Sequence, residues 1–302
     1  MSRLSRFIRS LPTFPNAAWQ QHLPPLQRPG FPVAVCWSAK SGCTTVLKWF
    51  LAHTGLLDEA VAYSRWVHDY REQKLFHSRS YLRQCARLFG PDRHDVTVIK
   101  VIRDPATRAV SSFLHLLRCS HNPASSPALT EVNRWKAATG LSGQPGLSFR
   151  QFLLFIAANE RHRTACDVHV RPQHDAQQDR RVDAYVLLED LAAGLWEVED
   201  RHGLPHVDVR RLSESSHHNP ASADHAWPML AATFAADHRT FDERGTPPAE
   251  VFLDPSTREL IRSVYRVDYE AYGHLYGRQT AAVRRPAAGQ GSTQTHAQRR
   301  AA

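Results

Sequence analysis

The chain has no Cys-x-x-Cys pair, and its five cysteines (Cys36, Cys43, Cys85, Cys119 and Cys166) are odd in number. That spacing excludes a zinc finger or ribbon and a disulfide-dense secreted scaffold, so a reducing compartment is the expectation. No apolar run reaches the roughly 18 residues that a membrane-crossing helix needs. The opening stretch "MSRLSRFIRSLPTF" is too short and too interrupted for a secretory leader. It carries Leu4, Phe7, Ile8 and Leu11 on one helical face, with Arg3, Arg6 and Arg9 elsewhere. Such a stub suits packing on its own domain or a peripheral contact with an anionic membrane surface. Internal repeats are absent. So is the Gly-Lys-Ser/Thr ending of a Walker loop, because Lys40 precedes Gly42 in "WSAKSGCTTVLKWF".

What is present is enough for one sizeable core: 302 residues, 42% of them hydrophobic. The formal net charge is +9, which favours anionic partners without choosing among them. From Arg278 onward there are five arginines and no acid, so more than half of that excess lies in the tail. The tail composition, ending "AAGQGSTQTHAQRRAA", cannot build a core and reads as a disordered basic segment over 278–302. Residues 1–30 read as an N-terminal extension and 31–277 as one domain.

Within that domain, apolar runs alternate with helical patterns. "FPVAVCW" (31–37), "VTVIKVI" (96–102) and "AYVLLE" (184–189) suit buried strands. Helices are predicted from about Thr44 to a stop at Gly55, from Pro105 through Leu117, after the Ser148/Gln151 capping box, over 190–202, and from Asp254-Pro255 to Tyr272. The Ser-, Pro-, Ala- and Gly-rich stretch 119–147 reads as a long loop. The alternation implies an α/β fold with a mainly parallel sheet and helices on both faces.

Ligands of such sheets sit at the carboxyl ends of the strands, and two strand ends carry anion chemistry. Between Ala39 and Thr45, successive backbone N–H groups and a helix N-terminus form a cradle. Lys40 adds a cation there, and Thr44 and Thr45 add hydroxyls. In "VIRDPATRAVSSF", Arg103 ends a strand while Arg108 and Ser111 stand on one face of the next helix, so Arg103 and Ser111 suit one phosphate.

These two stretches together resemble the 5′-phosphosulfate loop and the 3′-phosphate motif of the sulfotransferases that use 3′-phosphoadenosine 5′-phosphosulfate. "HVRPQ" (169–173), "DAYVLLEDL" (183–191), "HHNP" (217–220) and "YRVDYEAYG" (265–273) extend the likeness towards the carbohydrate sulfotransferases, over roughly residues 31–273. The family's loop usually has proline where Ala39 stands, and many relatives place an aromatic beside the adenine where Leu188 stands.

The resemblance implies a P-loop-like three-layer fold and donor binding by Lys40, Ser41, Gly42, Cys43, Thr44, Thr45, Arg103 and Ser111. It also implies transfer of the sulfuryl group to a hydroxyl of a carbohydrate-type acceptor, with no metal and no specific nucleic acid; a glycan, a glycolipid or a small hydroxylated metabolite would all fit. Without the membrane anchor of Golgi relatives, a cytoplasmic enzyme is expected. A sulfuryl group carries less charge than a terminal phosphoryl, so a divalent cation is dispensable; Lys40 serves the leaving oxygen. A histidine is the usual base. Among the 18 histidines, His77 falls in the interval where relatives place theirs, and His169 in "HVRPQ" competes with it. A P-loop kinase is the rival enzyme, but no Walker B aspartate follows "VTVIKV". A polyanion-binding protein driven by the tail leaves both strand-end motifs unexplained.

Overall fold

The computed structural model describes residues 23–89, 96–118, 127–158, 168–214, 234–237, 239–240, 247–276 and 283–284. The three valine-rich runs form β1 (Val33–Trp37), β2 (Thr97–Ile102) and β3 (Ala184–Leu187). They pair in parallel in the order β1-β2-β3, with Val35 opposite Ile99 and Val101 opposite Val186. Parallel strands are covered on both faces and so read as nearly continuous apolar runs. The exception is Lys100, which lies between Cys36 and Tyr185 in the register.

Helices fill the connections. After β1 come α1 (Cys43–His53), α2 (Leu57–Tyr63), α3 (Val67–Tyr70), a π-helical turn Arg71–Leu75 and α4 (Arg79–Phe89). After β2 come α5 (Pro105–Arg118), α6 (Pro127–Ala138), α7 (Phe149–Ala158) and α8 (Ala176–Asp179). Beyond β3 lie α9 (Leu191–His202), α10 (Val209–Ser213), α11 (Pro255–Val264), α12 (Arg266–Tyr272) and a short β4 (Val283–Arg284).

Strand alternation splits the core. Val33, Val35, Trp37, Ile99, Val101, Ala184 and Val186 face α1 and its neighbours. Ala34, Cys36, Val98, Ile102, Tyr185 and Leu187 face Tyr272 and Leu275. A separate cluster joins α5, α7 and α11 through Phe113, Phe149, Phe152 and Ile261.

Three expectations change. Part of the predicted loop 119–147 is the helix α6, whose Val132 is buried in that cluster. The predicted helix from Asp254-Pro255 to Tyr272 is two helices. It breaks at Tyr265, whose buried ring is fixed by its hydroxyl donating to Val170 O at 3.1 Å. Within the tail, Val283–Arg284 pairs antiparallel with Tyr185 and Val186, so that piece is strand. The rest of 278–302, the opening stretch 1–22 and "HHNP" lie outside the described residues.

Candidate anion site at the strand ends

The chain leaves β1 through Ser38–Gly42 and enters α1. Lys40 has φ 69° and is the one non-glycine residue with positive φ among those described; Gly42 follows with φ 77°. Left-handed turns of this kind point successive N–H groups into one concavity, and a lysine held there stores about 1–3 kcal/mol of strain. Gly42 is the N-cap of α1 with no side-chain hydrogen bond, and the first turn contains no acid. The opening N–H groups of α1 therefore have no side-chain cap and suit an anion. The positive φ of Gly42 favours glycine, and a Cβ there would also push aside the Leu188 side chain, whose Cδ1 would lie 2.5 Å away.

A single glutamine pins this loop to the end of β2. Gln173 Oε1 accepts from Ser38 Oγ (3.1 Å), Ser41 Oγ (2.9 Å) and the Arg103 N–H (2.9 Å), while Nε2 donates to Arg103 O (2.7 Å). Gln173 is itself positioned by Asp268, whose carboxylate accepts from the N–H groups of Gln173 (3.0 Å) and His174 (2.7 Å). Burial pushes the Asp268 carboxyl up, against the opposing Arg108 charge and those two N–H groups.

Two arginines grip the loop from the β2–α5 side. Arg103 Nη1 donates to Lys40 O (3.2 Å) and Nε to Thr107 Oγ1 (3.2 Å). Burial lowers the Arg103 pKa, with Glu189 opposing, yet a guanidinium stays charged at neutral pH. Arg108, only 1% exposed, donates from Nε to Ala39 O (3.0 Å) and lies over the Tyr265 ring. Its Nη1 and Nη2 are buried without a hydrogen-bond partner. Ser111 is half-buried on α5. Its neighbour Ser112 turns away to donate to His169 O (2.6 Å).

The predicted loop residues and Arg103 are thus brought together, with distinctions among them, while Ser111 stands on α5. Lys40 and Cys43 are half-buried and Ser41 is buried at the loop. Thr45 Oγ1 donates to Ser213 Oγ on α10 (3.3 Å), whereas Thr44 Oγ1 lies 3.0 Å from His68 Nε2. His68, on α3, was not singled out in the sequence. It is buried, and its ring lies 4.5 Å from that of Trp66, which is 41% exposed.

The two predicted histidines sit elsewhere. His77 is exposed in the turn between the π-helical segment and α4. His169 packs its ring 4.2 Å from His115, one helical turn beyond Ser111. The sequence also missed Gln173 and Asp268 as individual residues, although each belongs to a quoted string that carried the resemblance.

Among the described residues, no group of three or more His, Cys, Asp or Glu side chains is arranged to hold a metal ion. No helix there is long and apolar enough to cross a membrane. The family model described as "Sulfotransferase family" matches residues 29–276. No curated protein and no solved structure matches the chain.

Proposed function

We propose, from the premise that this chain belongs to the sulfotransferase family, that it moves a sulfuryl group from 3′-phosphoadenosine 5′-phosphosulfate to a carbohydrate hydroxyl. The donor supplies an activated sulfur on an anionic nucleotide. The residues present fit it: an N–H cradle, Lys40, Arg103 and Ser111, and Arg108 at Ala39 O with unmet N–H groups. A buried cation with unpaired donors favours a site completed by an anion.

The observation that carries the reading is the contact between Thr44 of the loop and His68 Nε2 at 3.0 Å. In this reading a histidine ring nitrogen beside the loop serves as the base for the acceptor hydroxyl. His68 takes that proton as the acceptor oxygen bonds to sulfur. The bond from sulfur to the bridging oxygen breaks in line, and its electron pair stays on that oxygen. Lys40 and Thr44 stabilise the charge gained there, and 3′-phosphoadenosine 5′-phosphate leaves. The exposed face of Trp66 against His68 suits a sugar ring. Among the candidate bases, His68 has a hydrogen bond to the loop, His77 is exposed in a turn, and His169 packs on His115, which favours His68.

Transfer of radiolabelled sulfate to oligosaccharide acceptors tests the activity directly. His68→Ala should bind 3′-phosphoadenosine 5′-phosphate normally and lose about 10²–10⁴-fold in turnover, the range for a missing general base. His77→Ala should turn over near wild type. The reverse pattern restores His77 as base, and a collapse confined to His169→Ala moves the role there.

A further inference from the structure

The turn that opens the donor loop lacks both residues that its shape calls for. The Ser41 N–H donates to Ser38 O at 3.2 Å, which closes a β-turn over Ser38–Ser41. Of the two central residues only Lys40 has a positive φ, 69°, so the turn is type II. Type II turns favour proline at the first central position and glycine at the second, where glycine takes positive φ at no steric cost. Here those positions hold Ala39 and Lys40. A type I turn between the same corners would suit this pair better and return Lys40 to negative φ.

The two turns differ in the plane of the Ala39–Lys40 peptide, which is rotated by about half a turn between them. The Gln173 bonds do not choose, because Ser38 and Ser41 are corners common to both forms. Nor does Arg103, whose bond goes to Lys40 O, beyond that plane. Ala39 O belongs to the plane, and Arg108 Nε donates to it at 3.0 Å. Arg108 is itself fixed: it is 1% exposed, its guanidinium carbon lies 5.8 Å from the centroid of the Tyr265 ring, and its charge opposes the buried Asp268 carboxyl. With Ala39 O held on the arginine side, the Lys40 N–H is antiparallel to it across the planar peptide and points the other way.

We propose that Arg108 is a positioning residue that locks the Ala39–Lys40 peptide in its type II orientation, so that the loop offers the bound anion the Lys40 N–H and not the Ala39 carbonyl. The inference rests on the sulfotransferase reading above and adds a residue that acts on the donor through the loop backbone. Without the lock the turn relaxes towards type I. Only the remaining type II fraction then binds, and affinity falls in proportion to it. Arg108 thus replaces from outside what proline and glycine supply when a turn is fixed by its own sequence.

Calorimetry of 3′-phosphoadenosine 5′-phosphate binding to the full chain tests the lock, with Arg108 or Arg108→Lys combined in turn with Lys40, Lys40→Ala and Lys40→Gly. Arg108→Lys keeps a charge facing Asp268 but puts a methylene where Nε donates. It should weaken binding about tenfold with Lys40 and with Lys40→Ala, and less than about threefold with Lys40→Gly, because glycine takes the left-handed conformation unaided. Alanine and glycine both lack the ammonium, so the contrast between them reports the backbone alone. With Arg108 intact, Lys40→Ala and Lys40→Gly should bind within about threefold of each other, a comparison that stands even where Arg108→Lys does not fold. An equal loss in all three backgrounds, or no loss in any, makes Arg108 a support of packing or charge only and overturns the proposal. Binding about tenfold tighter in Lys40→Gly than in Lys40→Ala with Arg108 intact overturns it as well, since the turn would then be unlocked. A wild-type chain that does not bind the nucleotide sinks the sulfotransferase reading, and this inference with it.

Discussion

At the scale of single residues, the proposed mechanism gives Lys40 and Arg103 different work although both are cations at one loop. Lys40 sits in a left-handed conformation within the loop. Its charge matters most when the bridging oxygen becomes an anion, an interaction stronger in the transition state than in the ground state. Lys40→Ala should therefore cost about 10²–10³-fold in turnover while the affinity for 3′-phosphoadenosine 5′-phosphate changes little. Unchanged turnover with collapsed affinity would make Lys40 an anchor only. Arg103 holds Lys40 O and Thr107 Oγ1 at the strand end, and the proposal makes it a phosphate contact. Losing a charged hydrogen bond to phosphate costs about 2 kcal/mol or more, so Arg103→Ala should weaken nucleotide binding at least about 30-fold. Arg103→Lys should not restore it, because an ammonium cannot span the loop carbonyl and the ligand together. Calorimetry on the two variants separates these outcomes.

Among the elements, the loop and the end of β2 are one unit only because Gln173 bridges them. Gln173→Ala removes acceptors for Ser38, Ser41 and the Arg103 N–H and a donor for Arg103 O. Buried hydrogen bonds contribute about 0.5–1.5 kcal/mol each and are not additive here, so a loss of about 2–4 kcal/mol in stability is expected, together with weaker nucleotide binding. A denaturant midpoint within error of wild type would show that the bridge is dispensable. The strands and the helices entered at Pro105 and Ser148 were legible in the sequence because their signals are local: short valine-rich runs, a proline at N1, a capping box in which the Gln151 N–H donates to Ser148 Oγ at 3.1 Å. Helix α6 was hidden because its Pro-Ala opening continues the bland composition before it. The loop and its arginine were legible because both follow strand ends. The clamp was not, since Gln173 lies in a loop and acts on residues more than a hundred positions away. Nor was His68, one of 18 histidines, whose partner Thr44 is supplied only by tertiary packing.

For the molecule as a whole, the far face of the sheet carries a buried charge network that backs the site. Lys100 Nζ, in the centre of β2, donates to Asp179 Oδ1 (2.6 Å), Gln173 O (2.8 Å) and Tyr272 OH (3.0 Å). Asp179 also accepts from His174 Nδ1 at 2.6 Å, so β2, the Gln173 clamp and α12 are tied by the same ions. Burial alone would raise the Asp179 carboxyl, but its bonds with His174, Lys100 and Tyr272 outweigh that and hold it below its ordinary 3.8. The bond to Asp179 raises His174 above its ordinary 6.5, against partial burial. The signs then fix the pH dependence. A raised histidine contributes stability that is fully present below 6.5 and is lost as pH rises through its folded value. A lowered carboxylate contributes stability that is present above 3.8 and is lost as pH falls through its folded value. Denaturant midpoints measured across pH should accordingly fall on both sides of a maximum in the mildly acidic range. His174→Gln keeps a donor for Asp179 but cannot titrate, so it should abolish the decline on the alkaline side and leave the acid side in place. Because His174 N is held by Asp268 beside the clamp, nucleotide affinity should track the alkaline decline in wild type and become flat there in His174→Gln. If the alkaline decline persists unchanged in that variant, His174 is not its source and the Asp179 pair does not couple the far face of the sheet to the site.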